Sequence, residues 1–211
     1  MMEEFVEEIL KILKSNKSNK QKKEELQNYH ENDIADVIPH LSDEEKTELF
    51  KILDEDDLSE VISYADDVDD IIEGLDDEFV ADILEEMDSD DAVDILEDMD
   101  NKDRASVLAK MDDDAREDAE MILSYNEDQI GRIMTTNFIV INKEDTIPVA
   151  MKKLVKQSGD NDNISTIFVV DDENKYFGAV DLKDLIKARK NAILTNICME
   201  NYPSVLASAI V

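Results

Sequence analysis

The sequence predicts a mainly α-helical chain with one α/β unit: an N-terminal superhelix of short stacked helices, then a β-α-β-β-α domain. Three observations predict it. A nine-residue apolar motif recurs seven times between residues 33 and 111. The charge divides the chain into three parts. After Asp128 the hydrophobic spacing gives way to short β-branched runs. With 211 residues there is length for two small domains, and 42% hydrophobic content exceeds what a disordered polyanion carries. The absence of Trp, with only four Gly and three Pro, favours helix over sheet.

Residues 1–30 open with "EEFVEEILKILK", a helical lead-in, and continue with "SNKSNKQKK", a loop or the start of a helix. They hold six Lys and six acids, net zero. The repeat follows: "DIADVIPHL", "EKTELFKIL", "DLSEVISYA", "DVDDIIEGL", "FVADILEEM", "DAVDILEDM", "DRASVLAKM", beginning at 33, 45, 57, 67, 79, 91 and 103. Within a unit the apolar residues fall at helical spacing. Val80, Ile83, Leu84 and Met87 make one stripe, and Ala92, Ile95, Leu96 and Met99 the next. Helices of two to three turns are not stable alone in water, so they must stack and bury these stripes against neighbours. Residues 1–130 are therefore one expected domain.

Residues 31–130 hold 39 acids against six bases, which is the whole net charge of −33. Two carboxylates about 6 Å apart repel by roughly 0.7 kcal/mol in water and roughly 3 kcal/mol at an effective dielectric near 20. Helix starts account for some of these acids. Asp43, Asp56, Asp57, Asp88, Asp90 and Asp91, with Ser89, lie where a cap or first-turn charge satisfies orphan N–H groups and the macrodipole. Glu73, Glu85, Glu86, Glu97 and Asp98 lie in last turns, where the dipole disfavours negative charge. Their retention points to a use for negative potential.

The polyanion argues against nucleic acid as a partner, since phosphates need a basic surface. One cysteine, Cys198, forms no internal disulfide, which fits a reducing compartment. No run of 18 apolar residues is present to span a bilayer, and "MMEEFVEEIL" is neither signal nor transit peptide. An EF-hand loop started at Asp88 fails at Ala92, Val93 and Met99. His30, His40 and Cys198 lack zinc-ligand spacing. Hydrolase and phosphate-loop motifs are absent, and the chain is read as no enzyme.

The last segment, residues 131–200, reads as the α/β unit. Phe138–Ile141 is an expected strand. Thr146–Lys156 is an expected helix with Val149, Ala150, Leu154 and Val155 inward. Ile164–Val170 and Tyr176–Val180 are strands joined by the turn "DDENK", and Leu182–Ala188 is a helix.

Asp90 and Asp94 are four residues apart on one expected helix face, and Glu60 comes from an earlier repeat. Oxygen-only ligands from two helices, completed by water, suit Mg²⁺; a solvated acidic face is the other reading of the same residues.

The acidic repeats followed by "SYNEDQIGRIMTTNFIVI" resemble the cytosolic part of the MgtE magnesium channel family, over about residues 30–205. "TIFVVDDENKYFGAVDLKDLIKA" resembles that family's first cystathionine-β-synthase (CBS) domain, and residues 201–211 the truncated start of a second. The resemblance implies a regulatory region on the cytoplasmic side of a membrane, dimeric through its CBS domains, beneath a transmembrane pore that this chain lacks. Mg²⁺ between the acidic surfaces would close the pore, and its loss would let them repel. By the same resemblance the ion ligands fall on Glu60, Asp90 and Asp94, with the backbone carbonyl of Arg132 where the family usually has glycine.

The family's nucleotide motif reads Gly178-Ala-Val-Asp181-Leu-Lys-Asp184. Asp184 stands where a ribose would be held, while Asp181 replaces the hydroxyl that faces a phosphate, and Thr166 stands where some members offer a ring. These departures count against ATP. Ile133, Phe138, Ile139 and Val205 to Val211 are the expected exposed surface for a homodimer, and Gly131 the expected hinge. A rival reading is an acidic helical-repeat module that docks a basic protein or mimics nucleic acid.

Overall fold

The computed structural model describes all residues except 1–3, 66, 67, 73, 160 and 162. Glu73, one of the late-turn acids, therefore lies outside the described residues. The chain forms two compact units, residues 1–87 with 91–117, and residues 88–90 with 118–211.

α1 (Glu4–Leu13) and α2 (Asn19–Leu26) precede α3 (Glu31–Ala35), a 3-10 turn at Ile38–His40, α4 (Asp43–Ile52), α5 (Glu55–Ser63), α6 (Asp69–Ile72), α7 (Asp77–Glu85), α8 (Ser89–Asp98), α9 (Asn101–Leu108) and α10 (Asp113–Leu123); all belong to the first unit except the first two residues of α8 and the last six of α10. The predicted stripes are the core: Leu58, Val61 and Ile62 on α5, Val80, Ala81, Ile83 and Leu84 on α7, and Ala92, Val93, Ile95 and Leu96 on α8 are all buried. The principal contacts skip one element, α3 on α5, α5 on α7 and α7 on α9. α3, α5, α7 and α9 thus each pack on the next but one, the packing of a superhelical array.

The helix starts behave as the capping account requires. Ser18 and Ser42 form capping boxes with Gln21 and Glu45. The side chains of Asp54, Asp76 and Asp100 accept first-turn N–H groups of α5, α7 and α9. His30 caps α3 through Nδ1 and meets Tyr64 edge-on at 5.4 Å.

Two lysines of the N-terminal segment pair with acids of the array. Lys22 is buried, donating to the Leu13 carbonyl at 2.7 Å and to Glu48 at 3.1 Å. The Lys23 ammonium lies 2.5 Å from both Asp54 and Asp57. It holds the Asp54 carboxyl below the usual carboxylate range, whereas burial pushes Asp57 up.

In the second unit, β1 (Ile139–Asn142), α11 (Ile147–Gln157), β2 (Thr166–Val170), β3 (Tyr176–Asp181) and α12 (Leu182–Lys187) give the expected β-α-β-β-α order. β1 pairs parallel with β2, and β2 antiparallel with β3. Asp171 accepts the N–H groups of Glu173 and Lys175 at the β2–β3 turn, where Asn174 takes a left-handed φ of 57°.

Ile139, Ile141, Ile147, Ala150, Leu154, Ile167, Val169, Val180, Leu185 and Leu194 form the core. Two expectations are corrected. Ile139 is fully buried: strand alternation sends 139 and 141 inward, and only their neighbours face out. Val149 and Val155 are exposed, because Ile147 anchors the helix and sets the inward phase at 147, 150 and 154.

Candidate functional site

The expected ion ligands are divided between the two units. Glu60 is exposed on α5 and Asp94 is exposed on α8, both in the first unit. Asp90 and Arg132 belong to the second. Among the described residues, no group of three or more His, Cys, Asp or Glu side chains is arranged to hold a metal ion.

Asp90 is the second residue of α8. It is half-buried, and its Oδ1 is shielded from solvent without a hydrogen-bond partner among the described residues. An acceptor in that position is costly unless something electropositive meets it. Its neighbour Ser89 fixes the local backbone. Ser89 Oγ accepts from Thr136 N at 2.7 Å and from Thr136 Oγ1 at 3.0 Å, and Ser89 N donates to Asn137 Oδ1 at 2.9 Å. Thr135, Thr136 and Asn137, three short polar side chains in a row within the junction motif, are the sequence signal for this anchoring network. Ser89→Ala is expected to cost about 1–2 kcal/mol by leaving the Thr136 N–H without its acceptor. Urea unfolding measures this, and an unchanged midpoint would show that the network adds nothing.

One late-turn acid has a structural role. Glu85 Oε1 accepts the backbone N–H of Asp112 at 2.6 Å, just before α10. It is a cap contributed from a distant helix, which sequence position alone does not reveal.

Arg132 is buried in a 3-10 turn, Ile130–Ile133. The preceding glycine departs from the expected hinge. Among the described glycines Gly74 has the left-handed φ, and Gly131 does not. A Cβ at 131 would instead lie 2.6 Å from the Tyr125 ring, so close approach is what requires glycine there.

A cavity of about 590 Å³ opens on the outer face of the sheet. Phe138, Phe168, Tyr176 and Tyr202 supply its rings, and Thr135, Asn137, Asn163 and Thr166 its polar groups. Phe168 meets Phe138 edge-on at 5.4 Å and Tyr202 at 6.5 Å. Among the described residues, no charged side chain lines it. Asp184 lies in the first turn of α12 and is not among the lining residues, and Asp181 makes no side-chain cap bond at the start of the same helix. Cys198 is half-buried, and burial pushes its thiol up.

Comparison with known proteins finds matches along both parts of the chain. The family described as the MgtE intracellular N domain matches residues 29–128, and the CBS domain family matches residues 130–191. A magnesium transporter MgtE of Enterococcus faecalis is 34% identical over 84 residues, 40% of this chain and 18% of that protein. One of Thermus thermophilus is 30% identical over 73 residues, 35% of this chain and 16% of that protein. The matched segments thus span under a fifth of these relatives' length. Among solved structures, the soluble part of a magnesium transporter superposes with a TM-score of 0.89 at 26% identity, covering 97% of this chain and 81% of the other. The cytosolic domain of the Mg²⁺ channel MgtE in complex with ATP superposes with 0.78 at 23% identity, over 92% and 80%. That second likeness shows the fold alone.

Proposed function

For a chain built as an MgtE intracellular N domain followed by a CBS domain, we propose the role of a Mg²⁺-sensing regulatory region of a magnesium channel or transporter, on the cytoplasmic side of the membrane. The pore belongs to a part of the protein outside this chain; among the described residues, no helix is long and apolar enough to cross a membrane. The observation that carries the reading is the structural likeness, over 97% of the chain, to the soluble part of a magnesium transporter.

The charge supplies the mechanism. The whole net charge of −33 sits on residues 31–130, so acidic surfaces of the protein repel unless a cation lies between them. Mg²⁺ takes oxygen ligands at short, octahedral distances and keeps several waters, which suits a weak, reversible site of few carboxylates. Glu60, Asp90 and Asp94, with the Arg132 carbonyl, are the proposed ligands. The shielded Asp90 Oδ1 supports its place in that set. Ion binding would hold the regulatory region closed, and ion loss would release it by repulsion. The task is binding, with no catalysed step. A homodimer through the CBS unit is part of the reading, since that unit exposes Ile133, Phe138, Val205 and Leu206.

The residues present do not fit ATP. No described cation lines the aromatic cavity, Asp181 would face a phosphate with a like charge, and Asp184 is not among the residues that line the cavity. No part of the mechanism is routed through a nucleotide.

A second reading is favoured by one observation, the docking of the lysines of α2 on the acids of α4 and α5. The array accepts ammonium groups, as a module for a basic protein would. One experiment separates the two. At about 10 mM Mg²⁺ and a site of about 1 mM affinity, binding adds about 1.4 kcal/mol of stability per site. For a chain of this size that is a rise of roughly 3–6 °C in melting temperature. NaCl at matched ionic strength gives the screening part only. Asp90→Ala with Asp94→Ala should abolish the excess and weaken calorimetric Mg²⁺ binding without unfolding the chain. Equal shifts from both salts, with tight binding of a lysine-rich peptide, would replace the sensor by the docking module.

A further inference from the structure

We propose that residues 205–211 are a strap that caps the 3-10 turn carrying Arg132, so that the state of the chain's C-terminal segment sets the state of that turn. The inference rests on the sensor reading for its regulatory meaning, and on hydrogen bonding for its structure. The turn spans Ile130–Ile133, and its first N–H groups have no acceptor within it. A side chain at the N-cap position normally supplies one. Here that residue is Gln129, which makes no cap bond: its Oε1 accepts from Asn126 N at 2.8 Å.

The strap replaces the missing cap. Ile130 N donates to the Ala209 carbonyl at 2.8 Å, and Gly131 N to the Ala207 carbonyl at 2.7 Å. Val211 N returns a bond to the Asp128 carbonyl at 2.9 Å, and Gln129 Nε2 reaches the Ser208 carbonyl at 3.3 Å. Gln129 and Ile210 form an antiparallel bridge. The strap's side chains contribute little burial. Val205, Leu206, Ile210 and Val211 are 70 to 77% exposed. The strap is therefore held by its main chain and has no charged side chain, so it is releasable by displacement. Movement of the C-terminal segment would uncap the turn and free the Arg132 carbonyl to reorient.

Hydrogen exchange at single amides tests this in the full chain. Ala209→Pro with Val211→Pro removes the Val211 donor and the Ala209 N–H that closes the strap's own turn on Leu206. Exchange at Ile130 and Gly131 should speed up by about tenfold or more, while Ile141 and Val169 in the sheet stay protected. Leu206→Ser with Ile210→Ser should leave all four amides unchanged, because those side chains are in solvent. Unchanged exchange at 130 and 131 in the proline pair would overturn the strap. The regulatory part is read by Mg²⁺ titration of the same variants. The proline pair, which alters no carboxylate, should bind Mg²⁺ more weakly than the parent, and the serine pair should not. Faster exchange with unchanged Mg²⁺ affinity would reduce the strap to a structural cap and overturn its regulatory role. A parent chain that binds no Mg²⁺ at all would remove the sensor reading, and exchange alone would still decide whether the strap exists.

Discussion

Leu96→Ala is expected to cost about 2–5 kcal/mol, the range for a fully buried leucine whose surroundings collapse only in part. Leu96 has no solvent exposure, and it shares the buried stripe of α8 with Ala92, Val93 and Ile95. In an array of short helices the consequence spreads. No element is stable alone, and each is held by interfaces with its neighbours, so losing one interface weakens the elements on both sides. The like charge of the array adds to the effect, because its repulsion is opposed mainly by these apolar contacts. Urea unfolding followed by circular dichroism should show a lower midpoint, and a lower slope if the array no longer unfolds as one unit. A Leu96→Ala variant with the parent midpoint would mean that the stripe is not what holds the array.

The array was legible because period and burial coincide. Of the two stripes read residue by residue, Val80, Ile83, Leu84, Met87, Ala92, Ile95 and Leu96 are buried in the structure, and Met99 is half-buried. The helix α10 was not read as a repeat, since its inward residues are mostly small and interleaved with charge, as in "DDAREDAEMIL". The α/β unit was legible in order and type. Two of its inward positions were misplaced, because a one-residue error in phase turns a side chain from core to solvent in a strand or helix alike.

The candidate site was legible in chemistry and only partly in geometry. Sequence spacing puts Asp90 and Asp94 on one helix, as found. It carries no information on Ser89 bonding to Thr136, or on Glu85 capping a helix 27 residues later, because both depend on tertiary packing. The resemblance to MgtE implied the proposed ligands; the structure shows that the Asp90 Oδ1 is shielded and that main-chain bonds join residues 207–211 to residues 128–131.

Gly178→Ala is the second large effect, and it falls on a residue that the sequence assigned to a nucleotide motif. In the structure Gly178 lies in β3, opposite Val169 of β2. A Cβ there would sit 2.6 Å from the Cys198 thiol and 2.7 Å from the Met199 carbonyl oxygen. The thiol has some freedom to move. The carbonyl does not, since Ala179 N donates to it at 3.1 Å and Met199 N donates back to Ala179 at 2.8 Å. The methyl group must therefore push the 198–199 segment off β3 and break both bonds. The expected cost is about 1–3 kcal/mol, the range for overpacking a tight site. Cys198→Ala should recover only part of it, because the carbonyl clash remains, and a double-mutant cycle reads that fraction. Exchange of the Ala179 and Met199 amides should accelerate together in Gly178→Ala, with the β1–β2 amides unchanged. A Gly178→Ala chain with parent stability and parent exchange at Met199 would show that the segment yields freely, and that the glycine serves another purpose.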